Sequence, residues 1–155
     1  MANFLNKHPQ NEYINCRAWF LQFKKYARSH YFHGRPYIGE YQDEQTGYWL
    51  KGEVERSRFY NHSTFNDLLI TGLVGIRPCA GDSLIVNPLL PAEAWDYFCL
   101  DNVRYHGRNL TVLWDKDGSR YGQGAGMQVW VDGVCIKRDS KLTRMELKVE
   151  RFAVK

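Results

Sequence analysis

Glu40 stands in the run Tyr37-Ile38-Gly39-Glu40-Tyr41, and Tyr48-Trp49 follow it closely. A carboxylate among flat aromatic faces has the two parts a sugar site needs: a group that can move a proton at oxygen, and apolar surfaces on which a sugar ring can lie. A solvated loop carboxylate is the plainer alternative. Other candidate chemistry is thinner. The histidines His8, His30, His33, His62 and His106 show no metal-ligand spacing on one element. His62, beside a helix start, joins the candidate site, with capping or packing as its simpler role. Asp115-Lys116-Asp117-Gly118 begins like a calcium loop but lacks the later acidic positions and reads as a β-turn. Gly122-Gln123-Gly124-Ala125-Gly126 leads into a strand pattern, so no helix N-terminus is there to hold a phosphate. Cys16, Cys79, Cys99 and Cys135 lie far apart without a C-x-x-C pair and read as buried free thiols, not as a zinc or redox site. No cofactor and no metal is expected.

The elements that must position Glu40 are two helices and the long connection between them. Residues 14–33 form an amphipathic pattern: Asn15 as N-cap, Ile14 able to staple onto Trp19, and Trp19, Phe23, Ala27 and Tyr31 recurring every four residues. Arg17, Lys24, Lys25 and Arg28 make the solvent face, and Gly34 is placed to stop the helix. Residues 65–76 predict a second helix, buried all round, with Leu68, Leu69, Leu73 and Ile76 on one face and Ile70 with Val74 on another. Asn61, Ser63 or Thr64 is its expected cap, and Gly75 with Pro78 its end. Between them, residues 34–61 are too rich in aromatics for disorder. Loops of that length are commonly functional.

Beyond a boundary near residues 77–82 the pattern changes to period two. Segments 84–86, 97–105, 109–114, 127–131, 134–137 and 145–149 predict about six strands of an antiparallel sheet or small sandwich. Asp132-Gly133 is a strong two-residue hairpin signal, and His106-Gly107-Arg108 a looser one. Two regions result, 1–78 and 79–155, in an α+β chain.

Composition narrows the function classes. The chain has 155 residues, enough for one core, and 44% are hydrophobic. Its formal charge of +4 comes from scattered Lys and Arg; the densest group, Lys137, Arg138, Lys141 and Arg144, reads as a solvated strand face rather than a nucleic-acid footprint. No apolar run reaches membrane-spanning length, and the first residues lack a signal-peptide core, so the chain as given is read as cytoplasmic, away from membranes. Asn61-His62-Ser63 and Asn109-Leu110-Thr111 match the glycosylation pattern by chance in that reading.

The run Glu40-Tyr41-Gln42-Asp43-Glu44-Gln45-Thr46-Gly47 resembles the E-x-Y-D-P-x-T-G signature of glycoside hydrolases of the family sixty-three type, including the mannosylglycerate-hydrolase-like group. The stretches 56–65, 69–78 and 86–89, with Trp95-Asp96-Tyr97-Phe98, are similar to that group as well. The resemblance implies that residues 1–78 are the terminal helical hairpin of an (α/α)6 barrel with its catalytic loop at 34–61, followed by a C-terminal antiparallel β-domain. It implies a carbohydrate substrate with α-linked sugars, hydrolysis with inversion, and Glu40 as the general base; Tyr37, Tyr41, Trp49, Asn61 and His62 join it as substrate-binding candidates. The signature's proline is missing at Glu44-Gln45. Inversion requires a second carboxyl group roughly 6.5–9.5 Å from the first, and the family's general acid comes from an earlier helical hairpin. The chain is therefore expected to be the C-terminal portion of a hydrolase, inactive alone, which meets an upstream barrel segment or associates with itself. Two other readings remain open. One is a non-catalytic carbohydrate-binding or accessory module stacking sugars on Tyr41, Tyr48 and Trp49; the other is a structural subunit docking its apolar helix on a separate barrel.

Overall fold

The computed structural model describes Leu5, residues 12–60 and residues 64–149. Helix α1, Cys16–Arg28, starts as its sequence dictates: the Asn15 side chain accepts the Ala18 N–H at 2.9 Å, which satisfies one of the free donors of the first turn. Trp19, Phe20 and Phe23 are its buried face. The helix is shorter than the 14–33 pattern. Ser29 closes it, and residues 30–36 turn into a small hairpin of β1, Tyr31–Phe32, and β2, Arg35–Pro36. His33 and Gly34 both have positive φ, 50° and 73°, the geometry of a tight type I′ turn. Gly34 thus serves a hairpin, not a helix end, and Tyr31 is exposed rather than part of the apolar stripe.

The 65–76 helix is also different from its pattern. One α-helical turn, α2 at Phe65–Leu68, passes into a π-helical segment, Leu69–Val74. The Gly75 N–H reaches back five residues to the Ile70 carbonyl at 3.0 Å, and Gly75 itself sits in the left-handed region at φ 84°, so its predicted role as the helix stop holds. The end of the helical segment is tied to residues 87–89, because Asn87 and Leu89 donate N–H groups to the Gly75 and Gly72 carbonyls. The expected all-round burial is corrected: Gly72, Leu73 and Val74 are buried, whereas Phe65, Leu68, Leu69 and Ile70 are only half-buried against the core. Thr64 makes no side-chain cap, and the alternatives Asn61 and Ser63 lie outside the described residues.

The β-region is two antiparallel sheets. One has the order β3-β4-β9, with β3 Ile76–Pro78, β4 Ser83–Val86 and β9 Met145–Lys148; the other is a meander of β5 Tyr97–Tyr105, β6 Arg108–Asp115, β7 Gly126–Val131 and β8 Val134–Asp139. The six expected strands are all present, and β3 is an addition hidden at the end of the helical pattern. The meander is inserted between β4 and β9, so the last strand returns to close the first sheet. Turns at His106-Gly107 (φ 47° and 81°) and Asp132-Gly133 (φ 48° and 80°) are both of the I′ kind. Inward residues of both sheets, among them Leu84, Val86, Val112, Met127, Val129 and Met145, share one apolar core with Trp19, Phe20 and Phe23. The architecture is a small α+β unit fitting a β-sandwich with helix α1 against its core. The four thiols are free, but Cys99 is exposed and the other three are half-buried, which corrects their expected burial.

Three polar devices lock this packing. The Tyr105 hydroxyl donates to the Ser83 carbonyl at 2.6 Å and accepts the Cys79 N–H at 3.0 Å, joining the meander to the β3–β4 turn. Buried Asp115 accepts N–H groups from Gly118, Arg120 and Tyr121 at 2.9–3.0 Å, so the run that looks like a calcium loop is a turn held by its own first aspartate. Buried Gln128 donates to the Gly124 carbonyl and accepts from Arg138 and Trp130.

A Cβ on Gly72 would lie 2.4 Å from Cζ2 of the buried Trp19 indole. Gly72→Ala is therefore expected to lower unfolding free energy by about 1–3 kcal/mol, the usual cost of overpacking, read as a lower urea midpoint. An unchanged midpoint would show that the indole moves aside freely.

Candidate functional site

The segment carrying Glu40 is built from backbone ties. The Tyr37 N–H donates to the His30 carbonyl at 3.0 Å, and the Phe59 N–H donates to Ile38 at 2.8 Å. Gly39 bridges Arg58, and Gln42 bridges Trp49, each antiparallel. Gly39 is required by space: a Cβ there would meet the Tyr37 ring at 2.7 Å and the Trp49 ring at 3.0 Å. Glu40 follows immediately and is half-buried. Its Oε2 accepts a hydrogen bond from the hydroxyl of buried Ser57 at 3.2 Å. Ser57 belongs to a 3₁₀ turn, Glu55–Ser57. Among the described residues Oε1 has no hydrogen-bond partner, which leaves it available to a water or a substrate hydroxyl.

The turn after Glu40 is organised by Asp43. Its Oδ1 accepts the Thr46 N–H at 2.7 Å, the Thr46 hydroxyl at 2.8 Å and the Gln45 N–H at 3.1 Å. Its backbone pairs with Tyr48 and Gly47, the latter at φ 71°. These donors, the Thr46 N–H foremost, hold the Asp43 carboxyl below its ordinary pKa. Lys25 of α1 donates to the Gln45 carbonyl at 3.3 Å, and Gln42 donates to the Ser29 hydroxyl. The turn closes without the proline that the signature places after its aspartate, since the geometry comes from Asp43, Thr46 and Gly47.

The aromatic candidates separate into two kinds. Trp49 is 3% exposed, gives its indole N–H to the Ser29 carbonyl at 2.7 Å, and meets Tyr37 and His30 edge-on. It holds the loop to the end of α1, and no face of its ring is open as a sugar platform. Tyr37 is buried beside it, and its hydroxyl has no partner among the described residues. Tyr41 and Tyr48 face outward; the Lys51 ammonium lies 3.9 Å from the centre of the Tyr41 ring, so one face of that ring is already occupied by a cation. Asn61 and His62 lie outside the described residues.

Two features were missed from sequence. Ser57 holds Glu40 from seventeen residues away with no local pattern to announce it. Phe59, exposed and at φ 60°, departs from ordinary backbone geometry at the same crossing; Phe32, Arg35, Tyr37, Glu53 and Phe59 line a groove of about 590 Å³ there. Strained, exposed aromatic residues cluster at functional surfaces. Among the described residues no group of three or more His, Cys, Asp and Glu side chains could hold a metal ion, and no helix is long and apolar enough to cross a membrane.

Comparison with known proteins finds similarity to glycoside hydrolases. Residues 76–134 match the model described as "Glycosyl hydrolase family 65, C-terminal domain". A solved structure named "Sialidase" is similar over 94% of this chain at 57% identity and a TM-score of 0.88. The chain corresponds to only 13% of that structure's length. These findings support a glycoside hydrolase C-terminal piece. They name family 65 for residues 76–134.

The lowered Asp43 pKa has a stability consequence with a definite sign. A carboxyl whose pKa is lower folded than unfolded stabilises its turn above the ordinary aspartate value, near 3.9, and that stabilisation is lost as pH falls through the lower folded value. Below about pH 4, the protection of the Gln45 and Thr46 amides, measured against their intrinsic exchange rates, is expected to fall. In Asp43→Asn the acidic transition should vanish from those two amides. Persistence of the same transition would assign it to another carboxyl.

Proposed function

We propose that the chain is the C-terminal portion of a glycoside hydrolase acting on α-linked sugars with inversion, and that Glu40 is its general base. The observation that carries this reading is the half-buried Glu40 with one oxygen held by Ser57 and the other unpartnered among the described residues. Ser57 fixes the carboxylate; the open oxygen takes the proton of a water as that water attacks the anomeric carbon. The neighbouring carboxylates have other work. Asp43 closes its turn, and Glu53 faces His33 at 3.4 Å. The acid that protonates the leaving oxygen then comes from another part of a longer enzyme, in keeping with a match that spans 13% of the sialidase-named chain.

The (α/α)6 barrel belongs to this proposal. In it, α1 is the last outer helix and the 65–74 helical segment the last inner one. The two pack through Trp19 against Gly72 and through Phe23 stacked on Phe65 at 4.8 Å. The half-buried row Phe65, Leu68, Leu69 and Ile70 is the face that the remaining barrel would cover. The loop's family sixty-three likeness is supported by a turn that forms through Asp43, Thr46 and Gly47, the signature residues retained here. A carbohydrate is the substrate in this reading.

With the rest of the barrel supplied, Glu40→Gln is expected to reduce turnover on α-glycosides by about 10²–10⁴-fold while saccharide binding persists, since the amide keeps the shape and loses the proton acceptor. Azide, a small nucleophile needing no base, should restore part of the rate. The 155-residue chain alone should not turn over these substrates. Near-normal kcat in Glu40→Gln would remove the base assignment, and ordinary turnover by the isolated chain would remove the need for a second portion.

A further inference from the structure

The sandwich presents a second concave surface far along the chain from Glu40. Trp95, Tyr97 and Tyr121 line a groove of about 520 Å³ together with Glu93 and Asp96. Trp95 and Tyr97 are 39% and 46% exposed. A cluster of exposed rings on a small domain carries an aggregation cost unless something covers it.

These rings are held, not loose. The Trp95 carbonyl accepts the indole N–H of buried Trp114 at 3.1 Å, and the Trp95 ring abuts Phe20 of α1 edge-on at 5.6 Å. Tyr97 opens strand β5 opposite Asp115. The buried Asp115 carboxylate accepts the N–H groups of Arg120 and Tyr121, which sets Arg120 on the Tyr97 ring at 4.6 Å and Tyr121 edge-on to it at 6.2 Å. Lys116 anchors Asp96 through Oδ1 at 2.8 Å. A buried aspartate and a buried tryptophan therefore fix an outward array of aromatic rings beside carboxylate oxygens.

From this array we infer that the groove is a non-catalytic saccharide-binding site for a short α-linked oligosaccharide. The inference rests on the glycoside hydrolase reading for its choice of sugar. The apolar C–H face of a sugar ring lies against Tyr121 and Trp95, and its hydroxyls donate to Glu93 and Asp96. A flat apolar ligand would offer no hydroxyl to Glu93 or to the Asp96 oxygen that Lys116 leaves free. Because the rings are already in place, little side-chain freedom is lost on binding.

The test is a titration of the isotope-labelled 155-residue chain with maltotriose, with cellotriose as the β-linked comparison. Maltotriose should give saturable shifts at the Trp95 indole N–H and at the Tyr97 and Tyr121 amides. Tyr121→Ala should weaken binding about tenfold or more, and Asp96→Asn by a smaller factor, while near-ultraviolet circular dichroism confirms the fold. Absence of saturable shifts, shifts centred elsewhere, a preference for cellotriose, or wild-type affinity in Tyr121→Ala would each overturn the inference. So would protection of Trp95 from acrylamide quenching in a longer polypeptide with no saccharide response, which would make the groove a contact between protein segments. Binding is read without turnover, so the two proposals fail separately. An active Glu40→Gln enzyme removes the base and leaves the groove, and an unresponsive groove leaves the base.

Discussion

The position of the Trp19 indole against Gly72 is the constraint on which the remaining arrangement depends. A glycine there lets the helical segment after Phe65 approach α1 at ring-contact distance; any side chain would push the two apart. That approach brings Trp19, Phe20 and Phe23 into the same core as the sheet residues Leu84, Val86 and Val112. The long loop is anchored at both ends by these two helical elements, so their separation sets where Glu40 can stand. The π-helical turn serves the same end. It delivers Gly75 in a left-handed conformation, at a place where an added Cβ would collide with the Asn87 backbone, and the chain enters β3 at once.

Within the loop, most polar groups act on the backbone. Trp49 and Gln42 both bind Ser29, one through its carbonyl and the other through its hydroxyl, and Lys25 reaches the Gln45 carbonyl. The last turn of α1 is therefore a docking rail for residues 42–49. A buried aromatic pair, Tyr37 and Trp49, stands behind Gly39. Rings that looked like ligand platforms are in part the wall that makes Glu40 stationary.

The strands were legible because period-two burial and aspartate- or histidine-glycine turns are local signals; Leu84 and Val86 point inward, and Asp132-Gly133 takes the φ values its residues favour. The Asn15 cap was legible for the same reason. What was not legible depends on distance along the chain. Residues 65–76 carry apolar residues on every side, and sequence alone does not reveal that Asn87 and Leu89 would draw the helix end into a π-turn. The hairpin at 31–36 hides behind a helical repeat that happens to include Tyr31. Of the candidate site, the sequence shows the run that carries Glu40, but Ser57 and the inward orientation of Trp49 follow from contacts across seventeen and twenty residues.

Three carboxylates of this chain differ in the donors that the described residues give them. Asp115 accepts three backbone N–H groups and is fully buried; its role is to shape the 118–121 turn. Asp43 accepts two backbone N–H groups and one hydroxyl on a single oxygen, and those donors favour its ionised form strongly enough to lower its pKa. A carboxylate so satisfied gains little by accepting a proton. Glu40 receives one hydroxyl from Ser57 and keeps its second oxygen clear of donors among the described residues. The protein thus uses aspartates where a turn must be closed, whereas Glu40 is tied by a single hydroxyl donor among the described residues.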